Sequence, residues 1–386
     1  MIQFKNLLAI ASLSFSAISY AQSLAPEPQM NHLKSEKAKS TIDLIKRVND
    51  SFQLRHNAEV QGFWVQGAYI TGNQAAYELT GDKEYLDYSI RFGEFNKWMG
   101  AKETDKSKWV YKTYGEGDDH VLFADWQICF QTYIDLYKLE HRAERLDRTL
   151  EVMNYQASMS EKDFWWWSDA LYMGMPVFSK LYTITHDQRL LDKQYECFLW
   201  TDSLLWDKKE HLYYRDAKYI YPKVKTSCGD GKSFWARGDS WVLAGLAKVI
   251  QDVPETCKYR KFYIKRFKEM SKAVAKCQRE EGYWSRSLLC EADAPGYETS
   301  GTAFFTYGLC WGVNNGYLSR SKYDKVIQKA WKYLSEIALQ PNNRIGYCQP
   351  IGEKPDPTRT VDEFSEWPFG TGAWLLAACE YAKYCG

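Results

Sequence analysis

The stretch Trp165 to Pro176 reads Trp-Trp-Trp-Ser-Asp-Ala-Leu-Tyr-Met-Gly-Met-Pro and sets one carboxylate, Asp169, directly behind three tryptophans. An apolar run follows through Phe178, Leu181 and Ile184, so a helix is expected, with Ser168 as its N-cap and Asp169 in its first turn. A carboxylate walled by indole rings is partly desolvated, which raises its pKa and suits it to donate a proton. A core helix whose first acidic residue complements the helix dipole accounts for the same letters. Two other segments pose the same choice. In Phe123-Ala-Asp-Trp-Gln-Ile-Cys-Phe-Gln-Thr-Tyr, Asp125 lies early in an apolar helix beside Trp126, with Gln131 one and a half turns on. It is either an inward functional group or a first-turn surface carboxylate. In Phe234-Trp-Ala-Arg-Gly-Asp-Ser-Trp, Arg237 is bracketed by Trp235 and Trp241, and Asp239 is placed to N-cap the next helix. Arginine between indoles suits a bidentate grip on a carboxylate, or else a cation–π brace for the fold.

All three segments fall at helix starts. In a ring of helical hairpins the inner helices run parallel, so their starts converge at one end. Two carboxylates, an arginine and several indoles would then meet in one cup. Two acids without a metal-ligand pattern point to acid/base chemistry at a sugar, and the arginine implies a substrate that carries a carboxylate.

The elements that must hold this cup are helical. From Ser40 onward the 3.6-residue period dominates, and helices are expected near 36–55, 63–79, 83–98, 119–139, 143–158, 168–185, 187–205, 239–252, 257–279, 300–316, 321–338 and 370–384. Strand alternation is confined to pieces such as Leu212 to Tyr214. A weak repeat supports hairpins: Tyr77-Glu-Leu-Thr-Gly-Asp matches Tyr182-Thr-Ile-Thr-His-Asp, and Tyr137-Lys-Leu-Glu-His fits the frame less well. Such pairs bury their apolar faces only by stacking. Six pairs closing on themselves give an all-α (α/α)6 barrel; an open solenoid is the structural alternative. Three irregular segments, 100–118, 206–234 and 342–368, are long enough to form a functional rim.

Composition narrows the classes. A net charge of +1 leaves no nucleic-acid footprint and no basic membrane-binding patch. The 16 Trp, 28 Tyr and 18 Phe exceed what a core requires and favour carbohydrate, whose apolar faces stack on such rings. The 10 cysteines form no C-x-x-C pair and have no histidine at zinc-finger spacing, so no metal and no cofactor is expected. Residues 1–22 read as a signal peptide, with Lys5, an apolar core from Leu7 to Ile18 and Ser-Tyr-Ala before Gln22. No cysteine follows that core, so a periplasmic or secreted protein without a lipid anchor is expected, with a flexible lead-in over 23–38 and one catalytic domain over 39–386. Disulfides are permitted by export, and their pairing is not legible.

The combination Ala-Asp-Trp-Gln…Gln-Thr-Tyr, Trp-Ser-Asp-Ala-Leu-Tyr-Met-Gly-Met-Pro and Trp-Ala-Arg-Gly-Asp-Ser-Trp resembles glycoside hydrolase families 88 and 105, the unsaturated glucuronyl and rhamnogalacturonyl hydrolases, with family 105 the nearer. Tyr297-Glu-Thr-Ser-Gly-Thr and Gly372-Ala-Trp-Leu-Leu-Ala-Ala-Cys-Glu extend the similarity to the C-terminus. The resemblance implies an (α/α)6 barrel acting on oligosaccharides released by a polysaccharide lyase, whose non-reducing end is a 4,5-unsaturated uronic acid. It implies that Asp169 protonates C4 of the enol ether and then assists water addition at C5, that Asp125 positions the sugar hydroxyls and helps keep Asp169 protonated, and that Arg237, Trp241 and Met173 contact substrate. Trp64, in Gly62-Phe-Trp-Val-Gln-Gly-Ala-Tyr, is carried over as an aromatic wall. Two departures stand out: Arg237-Gly-Asp-Ser-Trp replaces the frequent Arg-Gly-Asn-Gly-Trp, and Arg215 replaces a histidine, adding a second cation to the site. The rival readings are an inverting (α/α)6 glycosidase on saturated sugars, an epimerase relying on inner-helix histidines, and a non-catalytic periplasmic glycan-binding protein.

Overall fold

The helices sort into two layers by how much of their circumference is apolar. Those buried nearly all round form the inner layer: α2 (Trp64–Thr80), α4 (Ala124–Leu139), α6 (Ala170–Met173) with α7 (Met175–Thr185), α9 (Ala236–Asp252), α11 (Thr299–Asn314) and α13 (Pro368–Cys385). Those with one apolar stripe form the outer layer: α1 (Glu36–Arg55), α3 (Lys83–Phe95), α5 (Asp147–Ser158), α8 (Gln188–Leu205), α10 (Arg260–Cys277) and α12 (Arg320–Tyr333). In α1 the stripe is Ile42, Ile45, Val48 and Phe52; burying each such side chain contributes about 1.5–3 kcal/mol. The structure, a computed structural model, describes residues 27–386, and the expected signal peptide lies outside them.

The inner helices close on themselves: α13 packs on α2, α2 on α4, α4 on α6 and α7, these on α9, α9 on α11, and α11 on α13. This is an (α/α)6 barrel, and the open solenoid is excluded by the α13–α2 contact. The repeat seen in the sequence is the hairpin itself. α2 ends at Gly81 (φ 70°), whose N–H donates to Tyr77 O, and Asp82 then caps α3 by accepting from Glu84 N. α7 ends the same way at His186 (φ 54°) on Tyr182 O, and Asp187 caps α8. The Tyr137 segment lacks the left-handed residue and ends extended at Glu140, which explains its poorer fit.

Four local expectations are corrected. The helix expected over 168–185 is broken at Gly174 into α6 and α7, because Pro176 has no N–H to continue it. Ser168 does not cap; its hydroxyl donates to Asp169 Oδ2 (3.1 Å). Asp239 does not cap α9 either: the helix starts at Ala236, and Asp239 Oδ1 in its first turn accepts from Tyr213 N (2.8 Å). The stretch after residue 27 is docked where a flexible lead-in was expected, with Pro28 against Gly81 and Leu33 against Gly386, and α1 begins at Glu36, capped by Ser35.

A two-stranded antiparallel ribbon, β1 (Trp206–Asp207) and β2 (Leu212–Tyr213), occupies the expected strand piece. Cys228 and Cys290 form a disulfide. Among the described residues, no helix is long and apolar enough to cross a membrane. The two ends of the barrel enclose separate cavities, an apical one of about 300 Å3 at the inner-helix N-termini and a basal one of about 880 Å3 at their C-termini.

Candidate active site

The apical cavity is lined by Trp64, Tyr114, Glu116, Asp125, Trp167, Asp169, Met173, Arg215, Arg237 and the segment Ile351–Glu353. The convergence expected of parallel inner helices is therefore realised. Asp125 comes from the first turn of α4, Asp169 from the residue before α6, Arg237 from the first turn of α9 and Trp64 from the first residue of α2. Each of the three irregular segments contributes to the rim: Tyr114 and Glu116 from the first, Arg215 from the second, and Ile351 to Glu353 from the third.

Close helix packing sets the spacing of these groups. A Cβ at Gly245 of α9 would lie 2.0 Å from Leu171 O of α6. Only glycine lets the two helices approach this closely, and the approach brings Asp169 beside Arg237. The loop carrying Arg215 is tied to the Asp169 segment through backbone: Ser168 N donates to Arg215 O (2.7 Å), and Trp167 bridges Asp216. Of the three tryptophans only Trp167 faces the cavity, stacked on Phe123 at 4.6 Å. Trp166 donates its indole N–H to Tyr111 O, and Trp165 packs against Phe178.

The two carboxyls sit in the environment that acid/base chemistry requires. Burial raises the pKa of Asp169; the charges of Arg215 and Arg237 and the Ser168 hydroxyl oppose the rise without cancelling it. Burial raises Asp125 well above the ordinary carboxylate range, and the charge of Asp169 adds to the rise while Arg215 opposes it. Asp125 lines the cavity, and its Oδ1 is buried with no protein partner. Both carboxyls are thereby shifted toward retaining a proton at a pH where solvent-exposed carboxyls have lost theirs.

The cations divide into one that braces and one that faces the acids. Arg237 is sandwiched between Trp235 (4.5 Å) and Phe369 (4.8 Å), not between Trp235 and Trp241 as expected. Its Nη1 donates to Gln349 O and its Nη2 to Pro350 O, both at 2.9 Å, so it fixes the loop that forms the cavity's third wall. Arg215 Nε lies 3.5 Å from Asp169 Oδ2, and its Nη1 meets Asp216 (2.7 Å) and Glu353 (3.3 Å). Glu353 in turn accepts from Lys218 Nζ (2.9 Å) and Tyr219 OH (2.7 Å), latching the second and third loops together.

Trp241 departs from the expectation. It is fully buried behind the cavity wall, one turn below Arg237, and packs on Trp64, Tyr172 and Phe304. Trp64 and Met173 do line the cavity, and Trp64 donates its indole N–H to Tyr114 OH (3.2 Å). Tyr114, Glu116 and Glu353 were missed individually; only the length and the Tyr, Lys and Gly content of their loops marked them. None of the six histidines lines the cavity, so the epimerase reading loses its requirement.

A sequence profile for Glycosyl Hydrolase Family 88 matches residues 40–385. The chain belongs to this family. The profile bears out the resemblance to families 88 and 105 read from the motifs. An unsaturated 3S-rhamnoglycuronyl hydrolase from Formosa agariphila is 31% identical, over 83% of this chain and 84% of its own length. A glycosyl hydrolase of family 88 from Bacteroides vulgatus has a solved structure 49% identical, covering 90% of this chain and 99% of that one, with a TM-score of 0.88. A solved structure described as a polysaccharide lyase is 54% identical, covering 90% and 98%, with a TM-score of 0.87.

Proposed function

We propose that this family 88 hydrolase removes the non-reducing-end 4,5-unsaturated uronic acid from oligosaccharides left by a polysaccharide lyase. The observation that carries the proposal is the pairing of two buried, proton-retaining carboxyls with an arginine in one cavity. The hydrolases of Formosa agariphila and of an Alteromonas strain, 31% and 28% identical, act on unsaturated rhamnoglycuronyl substrates by name and support the same class. Asp169 protonates C4 of the enol ether, and positive charge develops at C5 and the ring oxygen. Once ionised, Asp169 takes a proton from the water that adds at C5. The resulting hemiketal opens and releases the leaving sugar. Asp125 holds the sugar hydroxyls, and Arg215 stabilises the carboxylate that Asp169 becomes.

The alternative with an observation behind it is lyase activity, after the relative described as a polysaccharide lyase. Ultraviolet absorbance of the conjugated enoate separates the readings. Hydration consumes the chromophore of a lyase-generated oligosaccharide. Elimination creates it from a saturated polymer, attack at the anomeric carbon releases the sugar with the chromophore intact, and a binding protein changes nothing. We further propose export, supported by the signal-peptide pattern over 1–22 and by the Cys228–Cys290 disulfide, since disulfides persist in oxidising compartments. An N-terminus beginning at residue 1 in material isolated from the native cell would contradict it.

A further inference from the structure

The broken inner helix leaves two backbone carbonyls without their helical donors. In an unbroken helix Tyr172 O would accept from the N–H of residue 176, but that residue is Pro176 and has none. Met173 O would accept from Val177 N, which donates instead to Gly174 O (3.2 Å). Both carbonyls are buried, and an unmet buried carbonyl is costly. The side chain of Gln131 supplies both: its Nε2 donates to Tyr172 O (2.7 Å) and to Met173 O (3.2 Å). Gln131 is itself buried, and its Oε1 has no protein partner.

The placement of this amide ties it to the chemistry. Gln131 stands on α4, the helix that also carries Asp125, while the carbonyls it holds end the short α6 that Asp169 opens. One contact therefore fixes the register between the two acids. It is also the partition between the cavities, since Gln131 lines the basal one and Met173 the apical one. We propose that Gln131 is a positioning residue for the reaction, its amide substituting for the missing N–H of Pro176 and so setting Asp169 relative to Asp125. This rests on the reading of Asp169 as the proton donor.

The test compares Gln131→Met, which removes the donor at similar volume, with Gln131→Glu, whose buried carboxyl stays protonated and donates through O–H. A donor misplaced by an ångström costs up to about 100-fold. Gln131→Met is therefore expected to lose roughly 10- to 100-fold in kcat with KM within about threefold, and Gln131→Glu to stay within about fivefold of the parent enzyme. Parental kcat in Gln131→Met, a loss confined to KM, or equal kcat losses in both variants would overturn the proposal. If Gln131→Met does not fold, Gln131→Glu decides alone. Its kcat is expected to decline at lower pH than the parent's as the carboxyl ionises, and a profile superimposable on the parent's overturns the proposal. Asp169→Asn, assayed in parallel, isolates the premise: parental activity there sinks the donor reading, whereas an inactive Asp169→Asn leaves the Gln131 outcomes to judge positioning alone.

Discussion

At its two ends the barrel presents two cavities, the basal one lined by all six inner-helix positions and the apical one by four of them with three loops. The basal cavity, about 880 Å3, gathers lysines where helix C-termini carry partial negative charge: Lys138 and Lys383 lie in the last turns of α4 and α13. Two ion pairs lie within it, Lys180 to Asp135 at 2.6 Å and Lys383 to Glu380 at 2.8 Å. Others are perturbed: Lys248 is pushed down to about 8 by burial and by the charge of Lys180, and burial raises Glu78 and Asp252, whose Oδ2 is buried without a partner. The apical cavity, about 300 Å3, gathers carboxyls at helix N-termini, and there too the matching is incomplete: Asp125 has an unpartnered oxygen, and Arg215 approaches Asp169 only to 3.5 Å. Volume does not mark the reactive end. Desolvated charge occurs at both ends; the apical end differs in setting two acids and two arginines among Trp64, Tyr114 and Trp167.

The comparison can be broken at either end. The largest effect is expected at Asp169: replacement by Asn removes the proton donor and should lower kcat by about 100- to 10,000-fold while leaving the melting temperature close to that of the parent. Arg215→Met comes next. The Arg215 charge is the first of the groups opposing the burial-driven rise at Asp169, so its loss should raise the pKa of the donor. A proton donor works while protonated, so activity is lost as pH rises through that pKa, and the alkaline limb of the kcat profile should move to higher pH. An unmoved limb would remove Arg215 from the electrostatics of the donor.

At the basal end the prediction reverses. Lys180→Met strands Asp135 beneath the barrel and should cost about 3–5 kcal/mol of stability, seen as a lower melting temperature, while kcat per folded molecule holds. A kcat loss matching that of Asp169→Asn would mean the two ends are chemically coupled.

The smallest effect on activity is expected at Asp239, which is fully buried with Oδ2 unpartnered and a pKa raised well above the ordinary value by burial. Because the folded-state pKa is raised, the fold is favoured at pH below the ordinary carboxylate value and loses stability as pH rises from there toward the raised pKa. Asp239→Asn keeps the acceptor for Tyr213 N and should raise the melting temperature at alkaline pH, with little change in acid. A gain independent of pH would show that ionisation is not the cause.

What could be read from the sequence follows from what is local. Helix α1 was placed at its observed bounds because an i, i+3, i+7 apolar stripe is a local signal. The Gly81-Asp82 and His186-Asp187 corners were visible as a repeat for the same reason. The break at Gly174 was hidden by an unbroken apolar run, although Pro176 was the available sign. The start of α9 was misplaced because Trp235 occupies the N-cap without any side-chain cap. The convergence of Asp125, Asp169 and Arg237 was inferable once parallel inner helices were assumed. The allocation of Arg237's donors was not, since its partners Gln349 and Pro350 come from the distant third loop. Trp241 looked like a site residue because it neighbours Arg237 in sequence, yet α9 turns its indole behind Trp64.

The most direct measurement is hydrolysis of a lyase-generated unsaturated disaccharide in deuterium oxide, with the released uronic acid followed by NMR from the earliest conversion. Delivery of a proton to C4 by Asp169 predicts that the vinylic C4–H signal disappears in step with release and that one solvent deuterium appears at C4. Release of a monosaccharide that still carries its C4=C5 double bond, with no deuterium at C4, would contradict the account.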